Sequence, residues 1–205
     1  MVTADKNLTY TQNMKGRKIA LVVLPTNDWS RLKPVLPRIV GMMTPTYILR
    51  QHRPGDMGWV IQQHGLLYAR EYGWDARFEA FVARIAADFI DNYDPARERC
   101  WIAEREGEPL GCVFLVEHRE LPDTAQLRML LLTPAGRGMG LGKALVSECT
   151  WFAREAGYQK IVLWTNSILT AARSIYEHEG YRLKEEKPHQ SFGVQLVGQM
   201  WELEL

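Results

Sequence analysis

The stretch Leu127-Arg128-Met129-Leu130-Leu131-Leu132-Thr133-Pro134-Ala135-Gly136-Arg137-Gly138-Met139-Gly140-Leu141-Gly142-Lys143 decides how this chain is read. An apolar run leads into clustered glycines, and an amphipathic segment begins near Leu141, so the order is strand, glycine loop, helix. Glycines permit positive φ, and successive backbone N–H groups can then converge on one concavity. The helix adds its free N–H groups and the positive end of its dipole. Such a cradle suits phosphate oxygens. Spacing excludes two common versions. A Walker loop requires a glycine where Arg137 stands and a hydroxyl residue where Ala144 stands. A dinucleotide fingerprint starting at Gly136, Gly138 or Gly140 ends on Leu141, Lys143 or Leu145, where glycine or alanine is required. What fits is R-x-x-G-x-G, through Arg137, Gly140 and Gly142. Glycine turns of this kind also serve structural ends, so the hexamer needs support from elsewhere in the chain.

Working outward, the segment after the loop places Leu141, Leu145, Cys149, Phe152, Ala153 and Ala156 on one helical face, with Gly157 beyond its end. Ile161-Val162-Leu163-Trp164 reads as a buried strand, and residues 167–179 as a helix closed by Gly180. Tyr181-Arg182-Leu183 and residues 197–205 read as the last two strands. Before the loop, residues 100–104 and 110–116 flank the hairpin signal Glu106-Gly107. Phe78, Phe81, Val82, Ile85 and Phe89 form an apolar helical face behind Asp75, a candidate N-cap. Glu71-Tyr72-Gly73-Trp74 reads as a loop, preceded by a helix capped by Asp56 and running toward residue 68. Tyr47-Ile48-Leu49-Arg50-Gln51 reads as the first strand.

Residues 1–45 are expected to be an extension and not a separate domain, with residues 46–205 as the main domain. The extension carries scattered basic residues, one strand-like run over 19–24, and Pro25, Pro34 and Pro37, which disfavour a long helix. The net charge of +1 gives no electrostatic case for nucleic acid or an anionic membrane surface. No run of 18 apolar residues predicts a membrane span, and the N-terminus lacks a secretory pattern. Three cysteines without a C-x-x-C pair support neither a disulfide framework nor a zinc site; reduced, buried thiols in a cytoplasmic protein are expected.

The element order β, two helices, three strands, helix, strand, helix, two strands, with the glycine loop after the fourth strand, resembles the GNAT superfamily of acyl-CoA-dependent N-acyltransferases. Ala172-Arg173-Ser174-Ile175-Tyr176-Glu177-His178-Glu179-Gly180-Tyr181 resembles the family's late helix A-x-x-[LI]-Y-x-x-x-G-[FY], and Leu132-Thr133-Pro134 its V-x-P. One departure stands out: Leu169 occupies the place of a cofactor-reaching asparagine, with Asn166 about one turn earlier. Trp164-Thr165-Asn166, Pro188-His189-Gln190-Ser191-Phe192-Gly193 and Leu196-Val197-Gly198-Gln199 resemble the acetyltransferase domain of bacterial MarR–GNAT fusion proteins, although too few residues precede Tyr47 for their winged-helix half.

The resemblance implies an α+β (α/β) GNAT fold, a central mixed, mostly antiparallel sheet of about seven strands flanked by about four helices. It implies acetyl transfer from acetyl-CoA directly to a primary amine of a small molecule or amino acid, without metal. Arg137, Gly138, Met139, Gly140, Leu141, Gly142 and Lys143 would take the pyrophosphate. Leu130, Leu131 and Leu132 would pair with the pantetheine arm, and Asn166 would contact the cofactor. Tyr176 would protonate the departing thiolate. Glu71, Tyr72, Trp74 and His189, with Tyr68, Ser191 and Phe192 nearby, are acceptor-site candidates where the first two helices meet the loop before the last strand. Glu104, Glu117, His118 and His189 are candidates for the base that relieves the amine of its proton. A protein-lysine acceptor, or a non-catalytic acyl-CoA-binding module, stays open at this level. No nucleic-acid or membrane partner is expected, and family members often dimerise.

Overall fold

The computed structural model describes residues 2–3, 22–23 and 47–205. Of the strand expected over 19–24, only Val22–Val23 is described; as β2 it pairs in parallel with β1, Val2–Thr3. The basic and proline-bearing remainder of the extension lies outside the described residues. Contacts group Tyr47–Leu205 as one unit.

In that unit a seven-stranded sheet runs in the order β3-β4-β5-β6-β7-β9-β8. Its strands are β3 (Ile48–Gln51), β4 (Arg99–Arg105), β5 (Glu108–Glu117), β6 (Thr124–Leu132), β7 (Lys160–Asn166), β8 (Arg182–Ser191) and β9 (Val194–Glu204). Only β6 and β7 are parallel. Helices α1 (Asp56–Tyr72) and α2 (Ala76–Asp91) bury Val60, Leu67, Phe78, Val82 and Phe89 against one face of the sheet. Helices α3 (Leu141–Glu155) and α4 (Thr170–His178) cover the other with Leu141, Leu145, Phe152 and Tyr176. Strand residues alternate between the two cores, as a period of two requires: Cys100 and Ile102 face α1 and α2, while Trp101 and Ala103 face α3.

Local signals explain most boundaries. Asp75 caps α2 by accepting from the Arg77 N–H at 3.0 Å. Glu106 and Gly107, with φ of 54° and 85°, form the two-residue turn between β4 and β5. Four expectations change. Asp56 is the first residue of α1 and not its cap; Gly55, at φ 98°, holds that place. Asp56 instead accepts from the Arg53 N–H and from Arg50, which also binds Glu104. Glu71 and Tyr72 are helical, because α1 runs on until Gly73 at φ 70° closes it. Trp164 lies on β7 yet is 48% exposed, covering the bare backbone of Gly198. Residues 184–191 are strand, not loop. They form the exposed sheet edge, where Lys184, Glu185, Glu186, Lys187 and Pro188 replace the alternation expected of an interior strand.

The feature that positions the site is a bulge in β6. Cys112 pairs with Leu131 and Phe114 with Arg128, so Val113 faces both Met129 and Leu130. Met129 takes φ 55°, and its carbonyl accepts from the Cys112 thiol at 3.3 Å. Gly111 makes this close approach possible, since a Cβ there would stand 2.7 Å from the Leu131 carbonyl oxygen. Gly111→Ala is therefore expected to destabilise by about 1–3 kcal/mol, overriding the usual gain of alanine in a strand. Urea unfolding measures it.

Under α1 the core holds His64, 1% exposed. Its Nδ1 lies 2.8 Å from the Val60 carbonyl, which only accepts, so Nδ1 carries the hydrogen and Nε2 keeps its lone pair. Burial pulls its pKa down to about 4, from 6.5. The unfolded chain therefore binds the proton more readily between those values. The stability His64 supplies is intact above pH 6.5 and is lost as pH falls toward 4, by about 3 kcal/mol in total. In His64→Leu the loss of unfolding free energy from pH 7 to 4, read by denaturant titration, should shrink by about that amount.

Candidate active site

The glycine loop is built as its spacing predicts. After a single 3-10 turn, Pro134–Gly136, the chain passes through Gly138 at φ 75° and Gly140 at φ 72°, and α3 begins at Leu141. The Ala144 N–H reaches the Gly140 carbonyl at 3.0 Å as the helix's first bond. The N–H groups of Leu141, Gly142 and Lys143 precede it at the open helix end. Gly142 also lets α4 approach, because a Cβ there would meet Ile175 Cδ1 at 2.6 Å. Arg137 leads the loop and donates to Glu71 Oε1 on α1 at 2.6 Å, an exposed pair that holds its side chain across the cleft. Met139 packs on the α3-side core, and Leu141 is fully buried.

Beyond the bulge β6 and β7 part. Their pairing runs from Thr124↔Lys160 to Leu127↔Leu163 and stops. Two cavities occupy the gap. One, of about 220 Å³, is lined by Leu130, Leu131, Leu132, Arg137, Gly142 and Ile175, with Glu71 and Tyr72 opposite. The other, of about 90 Å³, is lined by Trp74, Asn166, Tyr176 and Phe192 among others. Tyr68, Leu130, Leu169 and Ala172 belong to both walls, so the two cavities adjoin. Thus the structure places the glycine loop and the three leucines at one end, and Tyr176, Asn166 and Trp74 at the other. Glu71 and Tyr72 line the loop's cavity and Trp74 the other, with the Tyr72 and Trp74 rings 6.1 Å apart.

Tyr176 is 4% exposed and lines the smaller cavity. Burial raises its pKa well above the ordinary tyrosine value, so it stays protonated and is available as a donor. Asn166 Oδ1 lies 2.9 Å from His189 Nε2, and His189 Nδ1 lies 2.9 Å from Ser191 Oγ. With the amide oxygen accepting, Nε2 donates and Nδ1 accepts from the serine hydroxyl. His189 thus reaches the cleft through Asn166, with its ring beside Trp164 at 5.2 Å. Trp74 stacks on Phe192 at 4.9 Å, and the Asp75 N–H donates to the Phe192 carbonyl at 3.0 Å, which pins the β8–β9 turn onto the start of α2. The other base candidates lie elsewhere. Glu104 pairs with Arg50, Glu117 with Arg97, and His118 Nδ1 accepts from the N–H groups of Glu120 and Leu121; none lines either cavity.

Two residues of the smaller cavity escaped the sequence reading as functional groups. His64 is in its wall, with Nε2 buried and without a partner. Arg128 is there too, its pKa lowered by burial. The one signal for His64 was a polar residue on the apolar stripe of α1, at the i+4 position from Val60. Among the described residues no group of three or more His, Cys, Asp or Glu side chains is placed to hold a metal ion.

The acetyltransferase (GNAT) family profile matches residues 66–181, more than half the chain. The chain is 34% identical over 99 residues to N-acetyltransferase family 8 member 2 of Rattus norvegicus, covering 47% of this chain and 44% of that protein. It is 34% identical over 82 residues to N-acetylaspartate synthetase of Danio rerio, covering 40% and 29%. It therefore spans less than half the length of either protein. A Salmonella typhimurium structure solved with its cofactor acetyl-CoA superposes with a TM-score of 0.65 at 18% identity, covering 78% of this chain and 95% of the other, which shows a shared fold. The loop, the splayed strands and the profile agree, and this chain belongs to the GNAT family of N-acetyltransferases.

Proposed function

We propose that this N-acetyltransferase moves the acetyl group of acetyl-CoA directly to the primary amine of a small molecule or amino acid bound in the 90 Å³ cavity. The observation that carries this reading is the pair of adjoining cavities between the parted strands, one lined by Arg137 and Gly142 of the glycine loop and the other by Tyr176. Its residues fit an acyl-CoA. Backbone N–H groups at the start of α3, beside the Arg137 guanidinium, suit a pyrophosphate, and the opened edge of β6 at Leu130, Leu131 and Leu132 suits an amide-bearing arm. Acetyl-CoA supplies the activated acetyl thioester. The N–C bond forms, the C–S bond breaks, the amine loses a proton to solvent, and the sulfur gains one.

The chain's own residues divide this work. A backbone N–H at Leu131 or Leu132 polarises the carbonyl. Tyr176, kept protonated by burial, donates to the sulfur and recovers its proton from water. The cleft walls hold the two reacting atoms together. The Danio rerio relative's name marks it as a maker of an N-acetylated amino acid, which supports an acceptor of that size. A cytoplasmic location belongs to the same proposal, supported by three buried cysteines that are not joined in a disulfide. Kinship with the acetyltransferase half of MarR fusions is likewise inferred, from the Trp164-Thr165-Asn166 and 188–193 segments.

Two substitutions test the assignment. Tyr176→Phe should lower kcat about a hundredfold, measured as CoA release across a panel of amines, with acetyl-CoA affinity unchanged. Turnover equal to the native enzyme would remove Tyr176 from the chemistry. Gly140→Asp keeps a residue type that tolerates positive φ but adds a carboxylate to the cradle. Acetyl-CoA affinity by calorimetry should fall roughly tenfold to a hundredfold, by like-charge repulsion of about 1.4–2.8 kcal/mol. Unchanged affinity would sink the loop assignment.

A further inference from the structure

Glu71 lines the larger cavity together with Arg137 and Gly142 of the glycine loop, and the walls of the acceptor cavity do not include it. Its carboxylate is engaged there: Oε1 accepts from Arg137 Nη2 at 2.6 Å. Glu71 comes from the last turn of α1 and Arg137 from the start of the loop, so the pair joins two walls of the donor cavity. Both side chains are partly open to solvent, at 27% and 48% exposure, so the contact is accessible to an incoming anion.

Helix energetics do not call for an acid at this place. The last turn of α1 presents free carbonyl groups and the negative end of the dipole, which favour a cation. Arg70 meets that preference and Glu71, beside it, opposes it. What Glu71 gains is Arg137. Tyr72, in the same wall, lies within the field of both charges: burial raises its pKa, the Glu71 carboxylate raises it further, and the Arg137 guanidinium opposes them.

Arg137 also leads the loop whose open N–H groups, at Leu141, Gly142 and Lys143, suit a pyrophosphate. One guanidinium then faces two anions, a carboxylate of its own chain and the pyrophosphate of the donor. Its five N–H donors could reach both, but that would hold like charges close together on one cation. An exposed carboxylate pair is weak enough to be exchanged, and a pyrophosphate offers more charge and more acceptor oxygens in return.

We propose that Glu71 is a positioning residue of the donor site, which holds Arg137 in the empty enzyme and competes with the pyrophosphate for it. Acetyl-CoA then binds more weakly, and CoA leaves faster, than the loop alone would allow. This rests on the reading of the loop as the pyrophosphate site. Substrate and product are affected alike, because both carry the same pyrophosphate. Release of a product that keeps its main anchor sets the turnover of many enzymes, and an internal competitor for that anchor relieves the limit.

The test is calorimetric titration of the whole chain with acetyl-CoA and with CoA. Glu71→Gln keeps the shape of the side chain and removes its charge. It should bind both ligands about threefold to tenfold more tightly than wild type, by the same factor for each. Raising the salt from about 0.05 M to about 0.5 M should shrink that gain to less than twofold, since exposed charges are screened. In an Arg137→Gln background, where nothing keeps the carboxylate at the loop, adding Glu71→Gln should change either affinity less than twofold.

Unchanged or weaker binding by Glu71→Gln overturns the proposal; weaker binding would mean that the pair aligns Arg137 for the phosphate. A gain that persists in the Arg137→Gln background also overturns it, because repulsion without exchange would then suffice. So does a gain indifferent to salt, which marks a change of shape and not of charge. Gly140→Asp separates this inference from the reading beneath it. If Gly140→Asp weakens acetyl-CoA binding while Glu71→Gln fails to tighten it, only the competition falls. If Gly140→Asp has no effect, both fall.

Discussion

The site depends on the parting of β6 and β7. A parallel pair in the middle of a sheet ordinarily continues for the length of its strands, because an unpaired edge leaves backbone groups without partners. Here it lasts four residues, from Thr124↔Lys160 to Leu127↔Leu163. The bulge at Met129 turns β6 toward β5, where the Cys112 thiol and the missing side chain of Gly111 receive it. β7 instead follows β9 for its whole length, from Lys160↔Glu204 to Asn166↔Gly198. Each strand keeps a full partner on its outer side, and the inner edges are left open. Bare backbone on β6 is thus available to an extended, amide-bearing ligand, while the rest of the sheet remains paired.

The opening would be a hole if nothing closed its far end. That closure comes from contacts distant in sequence. Gly73 ends α1 and brings Trp74 round beneath Tyr68. The Asp75 N–H then takes the Phe192 carbonyl, fastening the tip of the β8–β9 hairpin. Gly193 allows this fit, since a Cβ there would stand 2.8 Å from Asp75 Oδ2. Asp75 therefore joins two tasks, capping α2 and anchoring the hairpin, and the acceptor cavity inherits walls from α1, β6, β7, α4 and the hairpin tip together. A cavity built from so many elements is specific in shape, and substitutions at its outer supports are felt inside it.

Much of this was legible in the residues. The glycine loop, the Asp75 cap, the Glu106-Gly107 turn and the late helix closed by Gly180 each rest on local stereochemistry, which a sequence states directly. The element order followed from them. What stayed hidden depends on partners far along the chain. The bulge carries no glycine: Met129 holds φ 55° because of where Cys112 and Gly111 lie, and methionine gives no sign of that. The second half of β8 is charged and contains proline because it is an edge, and an edge strand looks like a loop until its neighbour is known. Trp164 reads as core by composition yet lies outside, over the glycine opposite it. His64 follows the apolar stripe of its helix, and nothing local separates a satisfied core histidine from one facing a cavity.

That last distinction concerns energy as much as position. The buried, unpaired His64 Nε2 and Trp74 Nε1 cost the protein about 2–6 kcal/mol together, a sizeable share of the stability of an ordinary domain. Apolar residues of similar size at positions 64 and 74 would spare that cost, and the surrounding aromatic cluster of Tyr68, Phe78 and Phe192 would accept them. The neutral state of His64 makes the arrangement stable in sign: with its pKa drawn down to about 4, Nε2 remains an acceptor at every pH above that value. Burial thus both costs this side chain its solvation and holds the ring neutral.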